Sequence, residues 1–179
     1  MNLIGALALL LSTHAHAIPE TDYPARYDSQ VVPFYKKGIS GELTGADGAA
    51  LSYRKFEVRD PALEAGALVI LPGYGESYVK YAELIHDLEI ATRGAWSIYI
   101  YDHRGMGFSS RLAANPKIGH VASFDHYVDD LETFTMKIVK ARPHRRTVLL
   151  GHSMGGAIAT LYAQRHPGDY QALVLSAPM

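Results

Sequence analysis

Four short, largely apolar runs punctuate the chain: Ala67-Leu68-Val69-Ile70-Leu71, Trp96-Ser97-Ile98-Tyr99-Ile100-Tyr101, Thr147-Val148-Leu149-Leu150 and Ala172-Leu173-Val174-Leu175. Runs of this length without polar alternation are expected of strands buried on both faces. Between them, apolar residues recur at helical spacing. From about Ser77, the residues Tyr78, Tyr81, Leu84, Ile85 and Leu88 mark one buried helical face, which Arg93-Gly94 closes. Phe124, Tyr127, Val128, Leu131, Phe134 and Ile138 mark a second helix, with Ser123 placed to cap it and Pro143 to end it. Its acidic residues come early (Asp125, Asp129, Asp130) and its basic ones late (Lys137, Lys140, Arg142), as the helix dipole favours. Ala157, Ile158, Leu161 and Tyr162 share a face of a third helix, which Pro167-Gly168 stop.

The front of the chain reads differently. Glu42-Leu43-Thr44 and Leu51 to Val58 flank Ala46-Asp47-Gly48, a hairpin with an Asp-Gly turn. Alternation in its second strand is imperfect, which calls for a bulge or a strong twist. Ile18 to Gly38 is rich in Pro and Tyr without a clear period and reads as an extended lead-in, spanning residues 18–40 ahead of a domain at 41–179. Asp102 to Val121 is a long aperiodic loop, and such loops in compact domains are usually functional or disordered. Strands alternating with helices call for an α/β fold: a mostly parallel sheet with right-handed crossovers and helices on both faces. The leading hairpin adds antiparallel strands at one edge.

Composition narrows the setting. The 179 residues are 48% hydrophobic and 20% charged, with a formal net charge of -1, so nothing favours a nucleic-acid partner. With no cysteine, disulfides and thiolate metal sites are excluded. Leu3 to Leu11 form an apolar segment followed by Ala15-His16-Ala17, the small-x-small form of a signal-peptidase site. No Lys or Arg precedes it. We read residues 1–17 as a signal peptide, cleaved before Ile18, and expect an exported protein, periplasmic or secreted. The alternative is a buried or interfacial N-terminal helix.

The candidate chemistry lies after the third run. Gly151-His152-Ser153-Met154-Gly155 has the form Gly-x-Ser-x-Gly, a sharp strand-to-helix turn that lifts a serine hydroxyl over the sheet edge. The pattern recurs by chance, but here a buried-strand run precedes it and a helical pattern follows. Ser153 is the candidate nucleophile. Acyl transfer also needs donors for the developing oxyanion. The backbone N–H of Met154 is one, and the turn Pro72-Gly73-Tyr74-Gly75-Glu76 after the first buried run offers the N–H of Tyr74 as the second. The base is missing. After Ser153 the chain contains only His166 and Asp169, in the reverse of the order this fold uses, with His166 roughly 20 Å along the same helix. His152 flanks the serine but points elsewhere in such a turn, while His103, His120 and His126 have no motif support. No metal-ligand spacing, dinucleotide fingerprint or P-loop occurs, so neither a metal nor a cofactor is expected.

Three turns carry a resemblance: Pro72-Gly73-Tyr74-Gly75-Glu76-Ser77, Asp102-His103-Arg104-Gly105-Met106-Gly107-Phe108-Ser109 and Gly151-His152-Ser153-Met154-Gly155-Gly156. They resemble the signature turns of serine α/β-hydrolases, in particular the monoacylglycerol lipase and bacterial lysophospholipase branch, from about Gly41 to Met179. The resemblance implies Ser153 as nucleophile, Tyr74 and Met154 as the oxyanion pair, and Asp102 and Arg104 as structural residues beside the site. It departs at Pro72-Gly73, where many relatives have His-Gly. In that family a helical cap, further strands, the acid and the base follow the segment Ser176-Ala177-Pro178-Met179, so the fold is expected here truncated, with its last strand exposed. The implied activity is hydrolysis of a lipid or other small ester, such as a lysophospholipid or monoacylglycerol, with peripheral membrane contact. Alternatives are a serine peptidase of the same fold and a non-catalytic remnant that binds lipid or a partner.

Overall fold

The computed structural model describes residues 18–179. The segment read as a signal peptide, residues 1–17, lies outside the described residues. A six-stranded sheet organises the rest, in the order β1-β2-β4-β3-β5-β6. These are β1 (Ile39–Thr44), β2 (Ala50–Phe56), β3 (Gly66–Leu71), β4 (Trp96–Tyr101), β5 (Thr147–His152) and β6 (Ala172–Ser176). β3 to β6 run parallel, and β2 joins β4 antiparallel.

Both faces of the central strands are covered, which is why their sequences do not alternate. Ala67, Val69 and Leu71 of β3, with Tyr99, Tyr101 and Leu149, face one core. Tyr127, Val128, Leu131 and Phe134 of α4 (Asp125–Phe134) and Ile158, Ala159 and Tyr162 of α5 (Met154–Arg165) close it. Leu68, Ile70, Ile98, Ile100 and Val148 face the other core, against the short turn Tyr78–Tyr81 and Ile85 of α3 (Ala82–Thr92). Leu84, expected on the buried face of α3, is instead 37% exposed. It borders an apolar groove shared with Leu88, Trp96, Leu150 and Val174.

The front of the chain narrows one expectation and corrects another. The hairpin register runs through six consecutive pairs, Ile39↔Lys55 to Thr44↔Ala50, without a bulge. Its turn takes left-handed backbone at Asp47 (φ 52°) and Gly48 (φ 88°), as an Asp-Gly turn of this kind requires. The lead-in is helical rather than extended: α1 (Tyr23–Arg26), a wider helical turn over Tyr27–Val31, and α2 (Val32–Tyr35). Pro24 sits in the first turn, where a missing N–H is harmless, while Pro33 lies inside the continuous helical stretch, directly after the wider turn over Tyr27–Val31. Tyr27, Val31 and Tyr35 recur every four residues and pack, with Ile18, on Ala82.

Candidate active site

Ser153 stands where β5 turns into α5, at φ 49° and ψ −120°. This backbone region is costly for a residue with a side chain, about 1–3 kcal/mol. The surroundings hold it there. Its N–H donates to Ser176 O at 3.1 Å, and its carbonyl accepts from Gly156 N at 2.9 Å and Met179 N at 3.1 Å. Two glycines leave no alternative in the tight turn. A Cβ on Gly151 would lie 2.5 Å from Gly155 O, and one on Gly155 would lie 2.3 Å from Leu71 O. The turn at Ser153 therefore packs directly on the end of β3.

The turn after β3 meets the serine from the other side. A Cβ on Gly73 would come within 3.2 Å of Ser153 Cβ. Most of this turn's polar groups are taken, with Gly73 O accepting from Glu76 N at 3.4 Å. Gly73 N–H donates to Glu76 Oε2 at 2.8 Å, Gly75 N–H to Met106 Sδ at 3.3 Å, and Pro72 O accepts from His103 Nε2 at 3.0 Å. The N–H groups of Tyr74 and Met154 have no hydrogen-bond acceptor among the described residues. Tyr74 itself is 59% exposed, with its hydroxyl on Gly119 O. Tyr74 thus follows the glycine that packs against Ser153, and Met154 follows Ser153 itself.

Asp102 and Arg104 brace this edge. The Asp102 carboxylate accepts from Tyr78 N (2.5 Å), Phe108 N (2.7 Å) and Ser77 Oγ (3.1 Å), tying the loop after β4 to the turn before α3. Burial pushes its carboxyl above the ordinary value, against the pull of these donors. Gly107, at φ 48°, is obligatory beneath it, since a Cβ there would lie 1.9 Å from Asp102 Oδ2. Arg104 reaches the opposite side, to Asp130 and Asp47.

No histidine bonds the Ser153 hydroxyl among the described residues. His166 stacks on Tyr162 at 4.5 Å between ring centroids, and Asp169 pairs with Lys140 and Tyr162. His152 turns its Nδ1 to Ser176 O and lies 3.8 Å from Glu76. His126 faces Asp47. Two residues to which the sequence reading gave no role, His103 and Glu76, also contact the turn after β3. His103 is 1% exposed, set edge-on between the rings of Tyr101 and Tyr127. Burial lowers its pKa to about 4. Glu76 is drawn down to about 2: burial opposes ionisation, but hydrogen bonds from Lys80, Tyr81 and Gly73 outweigh it. A signal was present, since both are titratable residues just beyond the carboxyl ends of buried strands, where α/β sites form.

Comparison with known proteins bears on the family and the fold. The family model for serine aminopeptidase S33 covers residues 64–179. Lysophospholipase L2 of Escherichia coli is 44% identical over 146 residues, covering 82% of this chain and 41% of its own length. Monoglyceride lipase of Rattus norvegicus is 32% identical over 165 residues, covering 90% and 49%. The chain therefore spans less than half the length of these relatives. The crystal structure of a thermostable carboxyl esterase from Bacillus coagulans superimposes with a TM-score of 0.65 at 21% identity, covering 77% of this chain and 43% of that one. Together with the strand order and the elbow, these matches establish that the chain belongs to the serine aminopeptidase S33 family of α/β-hydrolases, with lysophospholipase and monoacylglycerol lipase relatives.

Proposed function

We propose that this chain is the nucleophile-bearing part of a lipid-ester hydrolase acting on lysophospholipids or monoacylglycerols. Ser153 attacks the ester carbonyl and forms an acyl-enzyme, and the N–H groups of Tyr74 and Met154 receive the oxyanion. The observation that supports the reading is a serine held at φ 49° beside the turn at Gly73, with the N–H groups of Tyr74 and Met154 unpaired among the described residues. The names of the relatives support an ester substrate, and the 44% identity to a lysophospholipase weighs against the peptidase suggested by the family's title. In this reading the acid and the base are residues other than those described, since no histidine among these bonds the hydroxyl. A polypeptide limited to residues 18–179 is accordingly expected to lack enzymatic turnover: without a base the hydroxyl stays protonated near neutral pH. Export, and contact with a membrane surface where such lipids reside, belong to the same proposal.

The test is Ser153→Ala in the full-length protein, assayed on a short-chain nitrophenyl ester and on a lysophospholipid. Removal of a triad nucleophile lowers kcat by orders of magnitude, roughly 10⁶-fold where it has been measured in a serine hydrolase. Turnover within tenfold of wild type would overturn the assignment of Ser153.

A further inference from the structure

We propose that His103 and Glu76 are a pair of positioning residues that orient the oxyanion donor of Tyr74 by gripping the two ends of one peptide bond. The proposal rests on the hydrolase reading above and specifies how its oxyanion site is built. Pro72 C=O accepts from His103 Nε2 at 3.0 Å, and Gly73 N–H donates to Glu76 Oε2 at 2.8 Å. These groups belong to the same planar amide. With both held, the plane cannot rotate about its flanking bonds. The next N–H along the chain is that of Tyr74, and its direction then depends only on the dihedrals of Gly73. Gly73 packs so closely that a Cβ would meet Glu76 Oε2 at 3.1 Å and Ser153 Cβ at 3.2 Å. Beyond Tyr74 the chain is fixed again, by Gly75 N–H on Met106 Sδ.

Each member of the pair is built for one task. A carbonyl only accepts, so His103 must carry its proton on Nε2. Its Nδ1 is buried and has no hydrogen-bond partner. A second proton there would be an unsatisfied buried donor, and burial accordingly keeps the ring neutral down to a pKa of about 4. His103 is thus a committed donor and not the missing base. Glu76 is held by Tyr81 Oη at 2.6 Å and by Lys80, so its acceptor oxygen points at Gly73 regardless of substrate. Donors aimed in advance at developing charge stabilise a transition state without reorganisation, and a misplacement of about 1 Å can cost 10²-fold.

The experiment uses the full-length protein with a nitrophenyl ester, and kcat and KM are measured separately. His103→Met fills the space without a donor and is expected to lower kcat about 10- to 100-fold with KM within about threefold. His103→Gln, which restores an N–H donor, is expected to recover most of that loss. Glu76→Met is expected to lower kcat similarly, and Glu76→Gln, which keeps a carbonyl acceptor, to stay within about threefold of wild type. Because both side chains act on one amide, the His103→Met/Glu76→Met double variant should be little worse than the weaker single one. A folded His103→Met enzyme with wild-type kcat, or losses that multiply in the double variant, would overturn the proposal. Should His103→Met fail to fold, the two Glu76 variants decide, and equal activity of Glu76→Gln and Glu76→Met overturns it. Ser153→Ala separates the two ideas. An active Ser153→Ala enzyme defeats the hydrolase mechanism itself, whereas an inactive one beside an intact His103→Met enzyme defeats only the positioning pair.

Discussion

Arg104 and Asp130 form a two-pronged ion pair in the interior, Nε to Oδ2 at 2.7 Å and Nη2 to Oδ1 at 2.7 Å, with the arginine 1% and the aspartate 0% exposed. Asp130 also accepts from Ala46 N, and Arg104 also reaches Ala46 O and Asp47 Oδ1, both at 2.8 Å. One guanidinium thereby joins the loop after β4, helix α4 and the turn of the leading hairpin. Removing it strands a buried carboxylate, a loss in the range of about 3–5 kcal/mol. Arg104→Met is expected to lower stability by that amount in urea or guanidinium titration. Arg104→Lys should recover only part of it, because an ammonium cannot reproduce the planar fork. A midpoint unchanged in Arg104→Met would show that the pair contributes nothing net to the fold.

Acid should weaken the fold in two stages. The pKa of His103 is about 4 in the folded chain, below the ordinary 6.5. A depressed value means that the unfolded chain binds this proton first. The stabilisation is complete above about pH 6.5 and is lost as pH falls toward 4, amounting to on the order of 3 kcal/mol. Glu76, lowered from 4.5 to about 2, adds a second loss between those values. Unfolding free energies of wild type and His103→Gln, measured from pH 7 to pH 3, should converge as pH falls through the first window. A constant difference across it would contradict the buried neutral imidazole.

The sheet was legible because burial on both faces leaves unmistakable apolar runs: Ala67–Leu71 and Trp96–Tyr101 lie in β3 and β4 to within one residue. The elbow was legible for a different reason, since Gly151 and Gly155 meet backbone atoms and admit no other residue. The lead-in is helical without a break from Tyr23 to Tyr35, and Pro24 and Pro33, which in the sequence argue against a helix, are absorbed in its first turn and beside the wider turn over Tyr27–Val31. Leu84 was misread because helical spacing says which residues share a face, not what covers that face. His103 and Glu76 were invisible as a pair. They lie 27 positions apart and meet only through the Pro72–Gly73 amide, a contact that arises when β3 and β4 pair in parallel.

Gly155 couples the two halves of the site. A Cβ there would lie 2.3 Å from Leu71 O and 2.6 Å from Pro72 O, backbone atoms at the root of the turn that carries Tyr74. Relief requires β3 and α5 to separate, which moves Tyr74 relative to Ser153. Gly155→Ala is therefore expected to lower kcat at least tenfold and to reduce stability by about 1–3 kcal/mol, as for overpacking elsewhere. Steady-state kinetics and a thermal melt of the full-length variant check both. Wild-type kcat would show that the two turns move independently.

Strain at Ser153 can be separated from its chemistry. Its φ of 49° with ψ of −120° disfavours any side chain, and the hydroxyl makes no hydrogen bond among the described residues that would offset this. Ser153→Ala and Ser153→Gly both remove the hydroxyl, but only glycine removes the Cβ that makes the conformation costly. Glycine also gives the unfolded chain more freedom, which opposes folding by about 0.4–1 kcal/mol. Against strain of about 1–3 kcal/mol, the balance favours the glycine variant. Ser153→Gly is thus expected to melt above Ser153→Ala, with both hydrolytically inactive. The excess measures what the fold gives up to present the serine. If the glycine variant melts at or below the alanine variant, the elbow is not strained, and its geometry is set by the contacts at Ser176, Gly156 and Met179 at no cost to stability.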